Sequence, residues 1–412
     1  MGTRISSNAA ALAAIAASLL MPAAASARAE LYFFPSLALT ETYDDNLFFT
    51  PGAHEEDHFL TLRPAVRLGY RTLPTDIGLT YSQDIERYNQ HQGLDSNKAR
   101  RDLSLNWDFR PARVLTLRTD ADYIKTRSPS ELTSLTGVQF GRVFAERRYL
   151  SPSLEYQYDN LTTANARYAY SRDKISGGIG SDTNSVDLGI NRRLSASDSA
   201  TFRYRFDRFH FDSGQSVNVY TLLFGGDWQL TPRLTVSALA GPRFTGSDGT
   251  DASANAGLDY QIERGELSLS YERTQTTILG VGAAVDSQSA GATLSLMPVN
   301  DVEFRAAPNY SISSNAGRST EVYGFLLEAG WQATTYLTVV GSYQFSAQHG
   351  SLLSSGTNET THNVIMVGVV LASPQRVERG DTRRRIYLPS NLGGEPAPVP
   401  GDLRESQSLE EE

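Results

Sequence analysis

The stretch Leu103-Ser104-Leu105-Asn106-Trp107-Asp108-Phe109-Arg110-Pro111-Ala112-Arg113-Val114-Leu115-Thr116-Leu117-Arg118-Thr119-Asp120-Ala121-Asp122-Tyr123 decides the fold. Leu103, Leu105, Trp107 and Phe109 alternate with Ser104, Asn106 and Asp108. After the turn Arg110-Pro111-Ala112-Arg113, Leu115, Leu117, Thr119, Ala121 and Tyr123 alternate with Thr116, Arg118, Asp120 and Asp122. Side chains along a strand point to opposite faces in turn, so this hairpin has one apolar, aromatic face and one charged face. A soluble sandwich would bury the apolar face on a second sheet. A transmembrane barrel would turn it to lipid and keep water inside.

Recurrence decides between the two. Comparable turns stand at Leu73-Pro74-Thr75-Asp76, Asn160-Leu161-Thr162-Thr163, Ala196-Ser197-Asp198, Thr231-Pro232-Arg233, Arg264-Gly265-Glu266, Val299-Asn300-Asp301 and Ala333-Thr334-Thr335. Beyond the longer second interval they recur roughly every 33 to 38 residues, the length of two strands, one tight turn and one longer polar loop. Eight turns plus a lone strand at each end predict an all-β, antiparallel transmembrane barrel of about 18 strands, with short turns at one end and long loops at the other. Closure would remove the edges that so many strands otherwise expose.

At the start of the chain, Arg4 precedes the apolar run from Ala9 to Leu20, and Ala25-Ser26-Ala27 offers small residues for cleavage. Residues 1–27 therefore read as a secretory signal peptide. The chain has 0 Cys, which excludes a lipid anchor on cysteine, disulfides, thiolate metal sites and cysteine nucleophiles. After Ala27 no apolar stretch approaches the roughly 20 residues of a spanning helix. Only helices and closed barrels satisfy their own backbone in a bilayer, so membrane residence would require a barrel over residues 28–372. Tyr 20, Phe 17, Gly 33 and a formal net charge of -9, with a mean hydropathy of -0.33, suit a wall that is half wetted. Net acidity argues against a nucleic-acid partner.

The first mature strand, Phe33 to Thr42, runs into Tyr43-Asp44-Asp45-Asn46. The stretch Ser36-Leu37-Ala38-Leu39-Thr40-Glu41-Thr42-Tyr43-Asp44-Asp45-Asn46-Leu47-Phe48 resembles the opening of the beta-barrel porin type 2 family of outer-membrane barrels, which includes proteins associated with exopolysaccharide export. The resemblance covers about a dozen residues. It implies an outer-membrane location in a Gram-negative bacterium, a conduit for a surface polysaccharide, and periplasmic polysaccharide-export proteins as partners. Asp44-Asp45-Asn46 also has calcium-type oxygens, but the spacing forms no complete ligand loop and a polar turn is the expectation.

The alternation assigns charges to the lumen. Arg63, Arg67, Asp108, Arg118, Asp120, Asp122 and Glu155 fall on the inward phase of the first half, where they would pair across strands. Arg167, Arg203 and Arg205 beside Asp207 form a basic strip that either attracts an acidic cargo or stiffens the wall as a salt-bridge ladder. The ladder is the expectation. Asp259 and Glu272 follow in a more acidic second half. Past Asp207 the alternation breaks at Phe209 and Phe211, and a bulge near Arg208 would restore it. Lys125 to Arg148, the longest interruption, reads as a plain surface loop.

His349-Gly350-Ser351 has the His-x-Ser spacing of some outer-membrane lipid hydrolases, with Asn358 nearby. Placed in a Gly/Ser-rich loop beyond a strand Leu337 to Phe345, the pair lacks an orienting third group, so no reaction and no cofactor are expected. His54, His58, His91, His210 and His362 show no metal spacing. Residues 373–412 pass from Arg376, Arg379 and Arg383-Arg384-Arg385 through Glu395-Pro396-Ala397-Pro398 to Glu410-Glu411-Glu412, a composition that predicts a disordered periplasmic tail. The expected function is a passive conduit, for exopolysaccharide as the resemblance implies. The alternatives are a general diffusion porin for small solutes and a structural or adhesive barrel, each in contact with outer-membrane lipids.

Overall fold

The computed structural model describes residues 29–373, apart from 53, 134, 247–248, 351 and 353–357. The expected signal peptide, residues 1–27, lies outside them, as does the expected tail beyond Ser373. The strands are β1 (Glu30–Asp44), β2 (Asp57–Arg71), β3 (Thr75–Tyr88), β4 (Ser96–Ala112), β5 (Leu115–Thr126), β6 (Ala145–Gln157), β7 (Thr162–Ile175), β8 (Ser181–Arg193) and β9 (Asp198–Phe211). They continue as β10 (Ser216–Thr231), β11 (Leu234–Thr245), β12 (Gly249–Ile262), β13 (Gly265–Thr277), β14 (Ala284–Val299), β15 (Val302–Asn315), β16 (Arg318–Gln332), β17 (Leu337–Gly350) and β18 (Asn358–Ala372). Each pairs antiparallel with its sequence neighbours, and β1 pairs with β18 from Ser36 opposite Ala372 to Asp44 opposite Val364. The sheet is closed, so no edge is left unpaired.

The alternation read from Leu103 to Tyr123 runs round this wall. Leu37, Leu60, Leu103, Leu154, Leu188, Phe224, Leu269, Phe304, Leu327 and Val367 lie exposed on the outside. Two aromatic rows bound the apolar band. Near the turn end are Phe33, Tyr156, Trp228, Tyr260 and Trp331; near the loop end are Tyr81, Tyr168, Tyr220, Tyr271 and Tyr323. On β16 eight residues separate Tyr323 from Trp331. At ~3.3 Å per residue and a tilt of ~40°, that is about 20 Å of height, close to the ~25 Å apolar band of an outer-membrane barrel.

Three sequence expectations are corrected. The loop end is not uniformly long: 45–56 and 127–144 are extended, whereas β9 and β10 join through 212–215 and β15 and β16 through Ala316-Gly317 alone. Both residues of that turn have positive φ, 49° and 78°, as a two-residue turn matched to strand twist requires. No bulge lies near Arg208, since β9 keeps continuous register with both neighbours. Phe209 and Phe211 simply face inward, buried with Val219 and Ala284. Finally β17 continues through His349 and Gly350, opposite Glu359 and Asn358, so His349 belongs to a strand; Ser351 lies outside the described residues.

The packing around Phe211 has a cause. β12 pairs with β13 only as far as Ala254 opposite Arg273, whereas β13 and β14 stay paired up to Thr277 opposite Ala284. Above Arg273 β13 parts from β12 while β14 stays paired with β15 as far as Asp286 opposite Ser314, and the tip of the hairpin leans across the lumen. One side meets Phe209, Phe211 and Val219 through Ala284, with a bridge from Gly280 to Ile179. Its other side carries Ile278 and Val285, fully buried against Val138.

Candidate functional site: the lumen and its mouth

Val138 belongs to the segment 127–144, which sequence alone read as a surface loop. It folds into the barrel instead. Leu132 packs with Ala145 and Leu279, and Phe140 joins both apolar clusters. Polar bonds tie the segment to β14, β15 and β17: Ser287 Oγ donates to Leu135 O at 3.0 Å, Ser311 Oγ to Thr136 O at 2.6 Å, and Gln139 N to Gln348 Oε1 at 2.8 Å. Glu131 accepts from Arg100 Nε at 2.8 Å and from the Thr126 hydroxyl. Apolar residues at 132, 135, 138 and 140, within a loop otherwise suited to solvent, were the signal that could have revealed this.

Arg142 locks the far end of the segment. Its Nη1 lies 3.5 Å from Glu86 and its Nη2 4.0 Å from Asp44, while its guanidinium stacks 4.6 Å from the centre of the Phe59 ring. Burial works against the charge, but Glu86 leads the neighbours that hold the Arg142 pKa above its ordinary value. The guanidinium stays ionised, and its departure would take from Glu86 and Asp44 the cation that faces them both.

Below this plug the wall charges form ladders. Arg63 Nε donates to Asp84 at 2.5 Å, Arg118 Nε lies 3.1 Å from Asp108, and Asn106 donates to Asp120 at 2.9 Å. Arg203 lies 3.5 Å from Asp187, and Arg205 2.8 Å from Asp207, which also accepts from Ser185 Oγ. Arg167 has no acid bonded to it among the described residues; it donates to Ser151 Oγ at 2.6 Å and to the Tyr149 hydroxyl. Asp259 accepts from Ser268 Oγ at 2.8 Å. Glu272, on β13, feels the charges of Arg203 and Arg205 on β9, four strands away. The structure thus brings Arg167, Arg203, Arg205, Asp207 and Glu272 into one region and leaves Arg118 and Asp120 on the β4–β5 wall, with Asp259 lower on β12.

The opening motif has a structural role that its sequence did not announce. Asp45 accepts from Asn363 N and Nδ2, both at 2.7 Å, and Asn46 Nδ2 donates to Thr361 O at 3.0 Å. His362 Nε2 lies 2.7 Å from Asp44. Asp44, Asp45 and His362 place ligand-type atoms within 4.8 Å of one another, but these atoms already bind each other and their neighbours, pinning β1 to β18.

A closed sheet with a lipid-compatible outside, aromatic borders and a charged, wetted inside has one home. It is an outer-membrane barrel. No family model matches the chain, and no curated protein matches it. Among solved structures it is similar to Pseudomonas aeruginosa OccK2 (OpdF), with 12% identity, TM-score 0.48 and coverage of 83% of this chain and 98% of that one. It is also similar to P. aeruginosa OpdO, with 11% identity, TM-score 0.48 and coverage of 82% and 97%. A mutant of the P. aeruginosa ferric enterobactin receptor PfeA gives 9% identity, TM-score 0.44 and coverage of 83% and 80%. These likenesses lie in the barrel architecture.

Proposed function

We propose that the chain is a passive outer-membrane porin for small hydrophilic solutes. The inward fold of 127–144 is the observation that carries this reading. Its bonds to Ser287, Ser311 and Gln348 on one side and its contacts with Glu86 and Asp44 on the other narrow the mouth. A polymer needs a free bore from end to end, so the exopolysaccharide conduit implied by the opening motif would require this whole segment to leave first. Small solutes need only the space beside it. Paired charges of both signs along the wall keep water in the lumen without a single strong site that would trap a solute.

The test is conductance in planar bilayers together with swelling of liposomes in sugars of increasing size. Wild type should pass mono- and disaccharides and exclude dextrans, and deletion of 129–141 should raise single-channel conductance several-fold. Passage of dextran by the wild-type protein would overturn the small-solute reading and favour export.

A further inference from the structure

On the outer wall, directly above the loop-end aromatic row, lies a groove of about 510 Å³. Its floor is Val186 and Phe206, Tyr168 forms one side, and Asp182, Asn184, Arg208 and His210 stand above. The registers make these residues cross-strand neighbours on the outer face. Tyr168, Val186, Phe206 and Tyr220 face one another across β7 to β10; one step higher come Tyr170, Asn184, Arg208 and Asn218. Arg208 therefore lies one outward position nearer the loop end than Phe206, on the headgroup side of the aromatic border.

The surrounding charges are mixed and mostly paired, and the groove lining itself includes one acid, Asp182. Arg172 is held by Asp182 and by Asp212 at 2.8 Å, and Arg148 lies 2.7 Å from Glu146. Arg208, in the groove lining, and Lys174, which lies beyond it towards the loop end and across from Glu146, are exposed and have no acid bonded to them among the described residues. Round the barrel at this level, β16 and β18 present Glu321 and Glu359 instead. Exposed cations beside an apolar groove at headgroup height match an amphiphile with anionic groups on a rigid head. We infer that the β7–β9 groove is a binding site for a phosphorylated glycolipid of the outer leaflet, with phosphate at Arg208 and Lys174 and an acyl chain along Val186 and Phe206. This site is independent of what crosses the lumen.

The test uses the full-length barrel in detergent, with bound lipid counted by native mass spectrometry. Bisphosphorylated lipid A should be retained at one copy, at least tenfold more tightly than its dephosphorylated form or phosphatidylglycerol. Arg208→Glu with Lys174→Glu should abolish that preference, and Arg208→Lys should keep it. Heat-modifiable gel migration reports folding; if the charge reversals fail to fold, Arg208→Ser with Lys174→Ser replaces them. Equal retention of the dephosphorylated form, equal retention of phosphatidylglycerol, or unchanged retention by a folded variant would each overturn the assignment.

Discussion

Neighbouring residues on one strand face opposite solvents, and substitution should expose the difference. Leu105 points out to lipid and Asn106 into water, where it meets Asp120. Leu105→Arg, close to mid-height, should cost about 2 to 4 kcal/mol, because an outward cation there has no water. Asn106→Arg should be nearly neutral, since a guanidinium reaches the same carboxylate. Urea titrations of the two variants in lipid vesicles check this; equal losses would mean that β4 is buried on both faces. A second residue-scale case is Gly69. A Cβ added there would lie 1.8 Å from Cζ of Tyr32, whose ring folds over the β2 wall and whose hydroxyl donates to Asp76 at 3.3 Å. Gly69→Ala should lower refolding yield by displacing that ring, and Tyr32→Ala in the same chain should restore part of it. No recovery in the double variant would place the defect elsewhere.

Elements were legible where one physical constraint acted alone. Between lipid and water only period two satisfies both faces, so the hairpin from Leu103 to Tyr123 announced β4 and β5, and all eight turn-end connections stood at their motifs. At the loop end a second constraint enters, because inward positions there touch other protein. Phe209 and Phe211 broke the pattern for that reason, and the segment 127–144 could not be placed since its partners, among them Val285 and Gln348, are remote in sequence. The grouping of Arg203 and Arg205 with Glu272 was hidden likewise: strand order tells which residues face inward, not which faces approach. One loop element carries a pH dependence. His91, in the β3–β4 connection, lies 2.9 Å from Asp57 and 3.0 Å from Glu55, and hydrogen bonding to Asp57 first, then to Glu55, raises its pKa. A raised pKa means stabilisation that is complete below the ordinary value near ~6.5 and is lost as pH climbs through the raised one. The 89–95 connection should therefore loosen as pH rises past the ordinary histidine value. Limited proteolysis of that connection from pH 6 to pH 9 should accelerate in wild type and stay flat in His91→Gln; parallel profiles would exclude His91 as the cause.

For the whole molecule the prediction concerns orientation. Barrels of this type keep short turns on the periplasmic side, so Gln92 and Ser213 should lie outside the cell and Ser197 inside. A membrane-impermeant thiol reagent on intact cells should label Gln92→Cys and Ser213→Cys but not Ser197→Cys. Labelling of the last alone would invert the barrel and put the Arg208 groove in the wrong leaflet.

The bonds between Asp45 and Asn363 join residues 318 positions apart, and that separation sets the timing of assembly. Every other strand pairing is with the next strand along, so seventeen hairpin contacts can form as the chain is delivered. The eighteenth waits for the last segment to arrive. Until it does, β1 and β18 are raw edges that any other chain with free backbone groups can extend. Closing so long a loop carries an entropic cost that grows only as the logarithm of its length, so the difficulty is one of delay more than of free energy. Damage to Asp45 or Asn46 should consequently appear as lengthened exposure to chaperones and proteases during biogenesis, even where the finished barrel, once shut, melts at an unchanged temperature.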